Sequence, residues 1–245
     1  MDETQGIIER VRRINDDYQH LELAVEPPLV KIKPGQSFLV RLSEGWEPYL
    51  REHWWPVGIA DNKLVIERPA NRRYEPGQVV SLLGPVGQPY RFRRTLRNVL
   101  LMAHNTSPTP LLMTIPWLLG NQISVTAVLV GQANEYDTQH LSPEVEIIRG
   151  DEEFNWPNRV MTLGWADQIL VVAPQDDELT RFGRIWTLIN DLRADVPKNY
   201  LFGVFQPALP CGSGACHACM IKMKQGMMLS CTEGPAFDLS QVALP

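Results

Sequence analysis

All four cysteines of this 245-residue chain lie in one short stretch, CGSGACHACMIKMKQGMMLSC. Cys211, Cys216, Cys219 and Cys231 follow the spacing C-x4-C-x2-C-x11-C, and only small residues and one histidine separate the first three. Small residues let backbone N–H groups approach sulfur, and a [2Fe–2S] cluster needs four thiolates that accept such hydrogen bonds. The first three thiols also have the spacing of plant-type ferredoxins. The stretch therefore predicts a [2Fe–2S] cluster with these four cysteines as its metal ligands.

Two other uses of the four thiols stay open at this point. Structural zinc usually takes two matched pairs of ligands, whereas here three thiols crowd together and one returns alone. Disulfides belong to oxidising compartments, and residues 1–36 contain no long apolar run that would indicate a signal peptide. The spacing favours the cluster over both, and the lack of a targeting signal predicts a cytoplasmic location.

Other residues of the tail have less specific chemistry. His217 stands between two thiols, but mixed ligation of the Rieske kind needs two histidines in place of two cysteines. We therefore expect His217 to face solvent or to lie behind the ligands. The four methionines of residues 220–228 either pack as an adaptable apolar surface of this chain or contact a partner subunit. With Phe237, they are expected to rim a cluster loop that lies near the surface.

The composition is that of a soluble globular protein, with 44% apolar and 21% charged residues. The longest apolar runs, such as residues 125–130, suit buried strands and are too short to span a membrane. The net charge of −5 argues against a nucleic-acid partner, which would require a basic face. No set of residues indicates hydrolysis or nucleophilic catalysis.

The first ninety or so residues alternate short apolar runs with turn residues, which predicts a small β-barrel or sandwich. Turns are expected at residues 34–35 and 76–77, which are Pro-Gly pairs, and at the Asp-Asn pair 61–62. From about Arg97 onward, buried strands alternate with helix-like segments. This is the βαβ pattern of a parallel sheet, in which ligands usually bind beyond the carboxyl ends of the strands.

Two helices are predicted between these strands. The first covers Thr109–Leu119, with Pro110 in its first turn, and must kink or end at Pro116. The second covers Leu179–Leu192. The predicted strands are residues 98–104, 124–131, 145–150, 168–174 and 199–205.

This order of elements resembles that of the electron-transfer subunits of dihydroorotate dehydrogenase, which are ferredoxin reductase-like flavoproteins. The resemblance is strongest in CGSGACHACMIK and CTEGPAFDL of the tail, and it extends to PGQSFLVRL and LLGPVG. It implies a ferredoxin reductase-like two-domain architecture, β-barrel plus α/β, with a C-terminal [2Fe–2S] module. The implied borders are a flavin-binding-type barrel at 1–96, a nucleotide-binding-like α/β domain at 97–203 and the cluster module at 204–245.

In that family an FAD in the barrel relays electrons between a nicotinamide nucleotide and the cluster, and a separate catalytic subunit receives them. This sequence departs from the family where the cofactors would bind. The arginine and hydroxyl of the flavin motif are replaced by residues 55–59, WPVGI, and no glycine precedes Arg72 and Arg73 where the family has a Gly-Thr pair. The glycine-rich nucleotide turn is His104–Pro108 here, and the Cys-Gly-Pro turn is Val172–Pro174. The scaffold is therefore expected to be retained and NAD(P) binding to be lost.

FAD binding stays open. A variant flavin site would stack Trp54 or Trp55 on the ring and place Arg72 or Arg73 on the phosphates, whereas the plainer interpretation makes them core tryptophans and solvated arginines. The residues at flavin positions are Trp55, Pro56, Gly58, Arg72, Arg73 and Gly84.

These observations favour an electron-transfer component of an oxidoreductase rather than a self-sufficient enzyme. Its [2Fe–2S] cluster would relay electrons within a hetero-oligomer that contains a catalytic flavoprotein subunit. The alternative is a non-enzymatic assembly subunit whose metal centre is structural and whose flavin and nucleotide sites are inactive.

The thiol spacing generates the first testable prediction. We expect anaerobically purified protein to contain two irons and two acid-labile sulfides per chain, because four thiolates complete a [2Fe–2S] cluster. Iron, sulfide and zinc analysis of the same sample checks this. One equivalent of zinc without sulfide would show that the thiols form a zinc site instead.

Overall fold

The structure is a computed structural model that describes residues 2–42, 45 and 49–245. The strands of a first, antiparallel sheet are β1 Asp2–Arg13, β2 Tyr18–Ala24, β3 Ser37–Arg41, β4 Glu52–Trp54, β5 Pro56–Ala60, β6 Lys63–Pro69 and β7 Val79–Val86. Those of a second sheet and of a separate strand pair are β8 Asn98–His104, β9 Ser124–Val130, β10 Glu146–Gly150, β11 Gln168–Val172, β12 Leu201–Val204, β13 Met220–Lys222, β14 Met227–Leu229 and β15 Ala236–Asp238. The helices are α1 Thr109–Leu112, α2 Thr114–Gly120, α3 Arg159–Trp165 and α4 Glu178–Leu192.

The first sheet has the strand order β4-β3-β7-β1-β2-β6-β5. Its two edge strands, β4 and β5, are consecutive in the chain and are joined by Trp55 alone. The sheet must therefore curl until its edges meet, although no hydrogen-bonded pairing of β4 with β5 closes it within the described residues. A core that includes Phe38, Trp54 and Leu82 fills the curl. The sheet is thus barrel-like, but its two edges are joined by the covalent chain at Trp55 rather than by backbone hydrogen bonds between β4 and β5.

Turn residues lie between the strands of this sheet where the sequence predicts them. Gly35 and Gly77 have φ values of 97° and 86°, which glycine adopts at no steric cost. Asp61 and Asn62 both have positive φ, at 49° and 60°, and connect β5 to β6 as a two-residue hairpin turn.

The second sheet has the order β10-β9-β8-β11-β12-β15, parallel except for the antiparallel edge strand β15. Its strands are apolar on both faces: in β8, Val99 and Leu101 belong to one core cluster, and Leu100 and Met102 to the other. The first cluster includes residues of α1 and α2 together with Trp55 and Tyr90 of the preceding domain. The second includes residues of α3, α4 and the C-terminal tail. Burial on both faces explains the continuous apolar runs.

The helix predicted at Thr109–Leu119 is divided at Met113 into α1 and α2. Pro116 has no N–H to donate to the carbonyl of Leu112, and its ring would clash there, so the ladder breaks one turn before the proline. The predicted kink is confirmed. Among the described residues, no helix is both long and apolar enough to cross a bilayer.

The C-terminal tail is attached to both sheets. Its strand β15 pairs with β12, which makes the tail an edge of the second sheet. Next to the end of β7, the Gly87 N–H donates to the Cys231 carbonyl at 3.0 Å, and the Gln88 N–H donates to the Gly234 carbonyl at 2.6 Å. The cysteine segment is therefore held between the two domains. The domain borders given above stay a prediction, although β15 belongs to the sheet of the α/β domain.

Close packing under β15 generates a stability prediction. A Cβ atom at Gly203 of β12 would lie 2.8 Å from Leu239 Cδ2 and 3.2 Å from the Phe182 ring, and both side chains are buried. We expect Gly203→Ala to lower the free energy of unfolding by about 1–3 kcal/mol, because both buried neighbours would have to shift within a packed core. Urea denaturation of the cluster-loaded protein measures this.

The matched control is Gly164→Ala in α3, where the added Cβ would have no neighbour within 4 Å. It should be neutral or gain up to about 1 kcal/mol through helix propensity. Equal effects of the two substitutions would contradict the packing described for β15.

Candidate metal centre

The four cysteines lie in one C-terminal segment, part of which packs against the barrel. Cys216 is exposed and Cys211 half-buried, whereas Cys219 and Cys231 are buried, with their sulfur atoms 3.3 Å apart. None of the four forms a disulfide. The two buried thiols pack against Leu39 and other apolar residues of the barrel. Cys219 and Cys231 therefore face the apolar core, whereas Cys216 faces solvent.

A hairpin explains why eleven residues separate the third and fourth cysteines. Strands β13 and β14 pair with Met220 opposite Leu229, and Gly226, at φ +90°, makes the turn. The Ser230 N–H then donates to the Cys219 carbonyl at 3.0 Å. The hairpin returns the chain so that Cys231 lies beside Cys219. The sequence analysis missed it, although the Lys-Gln-Gly run of residues 224–226 was a turn signal.

Backbone N–H groups of the loop point at the sulfurs. The Cys216 N–H donates to Cys211 Sγ at 3.5 Å, the Ser213 backbone also donates to that sulfur, and the Gly214 backbone donates to the sulfur of Cys231. Gly212 and Gly214 have φ values of 65° and 83°, so the loop bends in a way that favours glycine. The glycines predicted to bring backbone to sulfur therefore do so.

This environment affects the two ends of the loop differently. Partial burial would raise the pKa of the Cys211 thiol, but hydrogen bonds from Cys216 and Ser213 outweigh it and lower the pKa to about 6. Burial, followed by the adjacent Cys219 thiol, raises the pKa of Cys231 to about 12. Two buried sulfurs in contact need a bound cation before both become thiolates. The donor set of soft sulfur ligands and backbone N–H groups fits an iron–sulfur cluster.

Other residues of the tail divide into surface and core. His217 is exposed, with a positive φ of 58°, in line with the expectation that it faces solvent. Met220 and Met227 are also exposed, whereas Met223 packs against the core of the α/β domain. Phe237 is only 3% exposed and belongs to that core. The expectation that it rims the surface is wrong, because β15 turns its ring inward.

A cavity of about 470 Å³ lies beside the hairpin. Met223, Met227 and Met228 line it together with Phe237, so the methionines form part of a concave surface.

The residues at flavin positions do not form one open site. Trp55 is 7% exposed and packs in the core of the α/β domain, and its ring lies 4.7 Å from that of His53. Arg72 pairs with Glu52, and Arg73 with Glu75, each at 2.9 Å.

The remaining flavin positions lie apart from the arginines. Pro56 and Gly58 belong to β5, and Gly58 lines a second cavity of about 370 Å³. Gly84 packs against Phe38. These residues do not form a ready FAD site, since the Trp55 ring is buried and each arginine is already ion-paired with a neighbouring carboxylate. Flavin contact by Trp55, Pro56, Gly58, Arg72, Arg73 and Gly84 stays a prediction.

Polar side chains of the turn at the nucleotide position form hydrogen bonds within the protein. Asn105 Oδ1 accepts the Gln132 N–H at 2.7 Å, and the hydroxyls of Ser107 and Thr109 lie 2.6 Å apart. A cavity of about 330 Å³ beside this turn includes Asp17 and Glu135 in its lining and no lysine or arginine. The acidic lining disfavours a phosphate, and the loss of NAD(P) binding stays a prediction.

Sequence reasoning missed a polar cluster between the two domains. Glu67 of β6 is 3% exposed and accepts hydrogen bonds from Thr109 Oγ1 and from the Tyr136 hydroxyl, the latter at 2.7 Å. Burial and the Glu67 charge raise the pKa of Tyr136, which therefore keeps its proton as a donor. His20 and His140 also border the Glu67 carboxylate. The one signal was a glutamate inside the apolar run KLVIERP, because the other members are distant in sequence.

Comparisons with known proteins bear on both the tail and the whole chain. Residues 207–243 match a family described as "Iron-sulfur cluster binding domain of dihydroorotate dehydrogenase B". A protein of Shouchella clausii (strain KSM-K16), "Dihydroorotate dehydrogenase B (NAD(+)), electron transfer subunit", is 26% identical over 271 aligned positions, which cover 100% of both chains. A protein of the same description from Lysinibacillus sphaericus (strain C3-41) is also 26% identical and covers 91% of this chain and 92% of its own.

Solved structures share the fold. The structure of an NADH-dependent reduced ferredoxin-NADP oxidoreductase, described as informative on flavin-based electron bifurcation, superimposes with a TM-score of 0.74 at 16% identity, covering 98% of this chain and 90% of its own. A ferredoxin reductase of carbazole 1,9a-dioxygenase gives a TM-score of 0.57 at 13% identity, covering 82% of this chain and 68% of its own. The ferredoxin reductase-like architecture predicted from the sequence is confirmed, and so is the family resemblance.

Loop geometry generates a prediction for two adjacent residues. Cys216→Ser should lose the cluster or make it labile, because a ligand sulfur is removed from the exposed side of the site. His217→Asn should retain iron and sulfide in full, since the His217 side chain is exposed and asparagine tolerates its positive φ. Metal analysis and visible spectra of both variants provide the comparison. Loss of iron in His217→Asn alone would make the histidine a ligand.

Proposed function

We propose that this chain, which is related over its whole length to electron-transfer subunits of dihydroorotate dehydrogenase B, is the iron–sulfur electron-transfer subunit of an oxidoreductase complex. Cys211, Cys216, Cys219 and Cys231 would hold a [2Fe–2S] cluster. The observation that supports this best is the contact of the Cys219 and Cys231 sulfurs at 3.3 Å, with backbone N–H groups directed at the sulfurs of Cys211 and Cys231, in the segment that matches a cluster-binding family. When bound, such a cluster accepts and releases single electrons.

The chain's own residues would set the conditions for that transfer. Donation from the Cys216 and Gly214 backbone to the sulfurs stabilises negative charge on the site and favours the reduced state. The core around Cys219 and Cys231 excludes water on one side. Cys216 lies at the surface, where the redox centre of another protein can approach it.

Electrons would enter and leave through other proteins. The nucleotide turn is occupied by its own side chains, and the arginines at flavin positions are paired with carboxylates. Two relatives are named as electron transfer subunits, and such a subunit implies a catalytic one. The proposed partner is a catalytic flavoprotein subunit that docks on the tail. Met227 and the adjoining cavity offer an adaptable apolar surface for this contact.

A redox titration tests the role of the cluster. Dithionite should bleach the visible bands of the cluster-loaded protein reversibly, whereas NADH or NADPH alone should leave them unchanged, because the nucleotide turn has no glycine and borders Asp17 and Glu135. Anaerobic absorbance spectra measure both. Stoichiometric bleaching by NADH without another protein would contradict the loss of the nucleotide site. Failure of dithionite to reduce the centre would favour a structural metal.

Partner contact through the tail is tested by one charge placed on the proposed surface. Met227, which is 58% exposed beside the cavity, is changed to glutamate, and Met161, which is 73% exposed on α3, receives the same change as the matched control. Affinity purification from the native source should recover a flavoprotein with wild-type and Met161→Glu protein, and less of it with Met227→Glu, since burying an unpaired charge is unfavourable. Equal recovery with all three would place the contact elsewhere.

A further inference from the structure

Two histidines and a glutamate meet at the junction of the two domains, far in sequence from the cysteines. His20 of β2 and Glu67 of β6 are directly opposite each other in the antiparallel pair, and His140 follows a 3-10 turn at Gly131–Glu135. His20 Nε2 lies 3.6 Å from Glu67 Oε2, and His140 Nε2 lies 3.8 Å from the same oxygen. The three possible ligand atoms are all within 4.8 Å of one another.

These separations are close to those of a metal coordination shell. Zinc binds imidazole nitrogen and carboxylate oxygen at about 2.0–2.2 Å, so two ligand atoms at a tetrahedral angle are about 3.4 Å apart. The two measured separations exceed this value by a few tenths of an ångström. The third pair of ligand atoms, one from each histidine, lies within 4.8 Å, so the imidazole rings would rotate toward a shared ion.

The polar atoms of this group are incompletely satisfied. Both ring nitrogens of His20, and Nδ1 of His140, are buried without a hydrogen-bond partner among the described residues. Among the described residues, the buried Glu67 carboxylate has ion-pair contacts only with these two histidines. A divalent cation would balance the negative charge of the buried carboxylate. It would also give His20 Nε2 a bonding partner.

The surroundings leave room for a further ligand. His20 and His140 form part of the wall of the 370 Å³ cavity, whose other lining is mostly apolar and includes Leu112 and Ile115. The Tyr136 hydroxyl donates to Glu67 Oε2 at 2.7 Å and lies 3.1 Å from His140 Nε2, so it orients the carboxylate and would exchange its contact with His140 for the bound ion. Three protein ligands beside a cavity are the arrangement in which a metal keeps one position for water or a small ligand.

We propose that His20, Glu67 and His140 bind one divalent transition-metal ion of the Zn²⁺ class at the junction of the barrel and the α/β domain. The ligands come from both domains, so the ion joins them. The site is separate from the cysteine loop and does not depend on the electron-transfer role proposed above. Its cavity is also lined by Gly58, so the ion would lie at the edge of the region that the family resemblance assigns to flavin.

The experiment uses full-length protein with its cysteine site already loaded, so that the thiols do not compete for added metal. After treatment with EDTA and desalting, ZnCl₂ is titrated by calorimetry, and zinc K-edge absorption identifies the ligand atoms. The test variants are Glu67→Gln and His140→Gln. The control is His104→Gln, another buried histidine, which lies outside the group.

Wild-type protein and the control should bind one equivalent of zinc with only nitrogen and oxygen ligands, and zinc should raise their thermal midpoints. Both test variants should bind at least about tenfold more weakly, since losing even an outer partner of a ligand costs about 10–100-fold. Their unfolding midpoints in EDTA establish that they fold. No binding by wild-type protein, or affinities unchanged in both variants, would overturn the proposal and leave an imidazole–carboxylate cluster. Sulfur in the zinc shell would also overturn the proposal, because the bound zinc would then be held by the cysteines.

Discussion

The attachment of the C-terminal tail to both domains is the constraint on which the candidate metal centre depends. Strand β15 completes the second sheet, and the Gly87 and Gln88 N–H groups bind tail carbonyls from the end of β7. Between these two anchors, the β13–β14 hairpin brings Cys219 and Cys231 together. A loop of small residues could not hold four sulfurs in place alone, because glycine-rich backbone loses much entropy when ordered. The two sheets supply that order.

The same two domains meet again at the Glu67 cluster, on the side where the family resemblance places flavin and nicotinamide chemistry. Here the residues at the family's cofactor positions make contacts within the protein: Trp55 is in the α/β core, and Asn105 Oδ1 accepts the Gln132 N–H. A retained scaffold with an altered junction illustrates that a fold does not carry its usual function with it. In this chain, the features suited to redox chemistry are concentrated in the tail.

Several elements followed from local sequence alone. The hairpin turn at Asp61 and Asn62, the buried strands of the second sheet and the break before Pro116 each arise from residues adjacent in the chain. Other features did not. The inward ring of Phe237 depends on β15 pairing with a strand more than thirty residues earlier, and the Glu67 cluster joins residues from positions 20 to 140. Such contacts leave no short-range periodicity from which to predict them.

The sequence by itself determined the type and spacing of the thiols, the glycines that bring backbone donors to them, and the order of the two domains, because each is encoded within a few neighbouring residues. Tertiary structure alone decided which sulfurs are buried, how the tail is held, and that two histidines share a carboxylate. Burial and electrostatics depend on what packs around a group, and a chain specifies that only after distant segments have met.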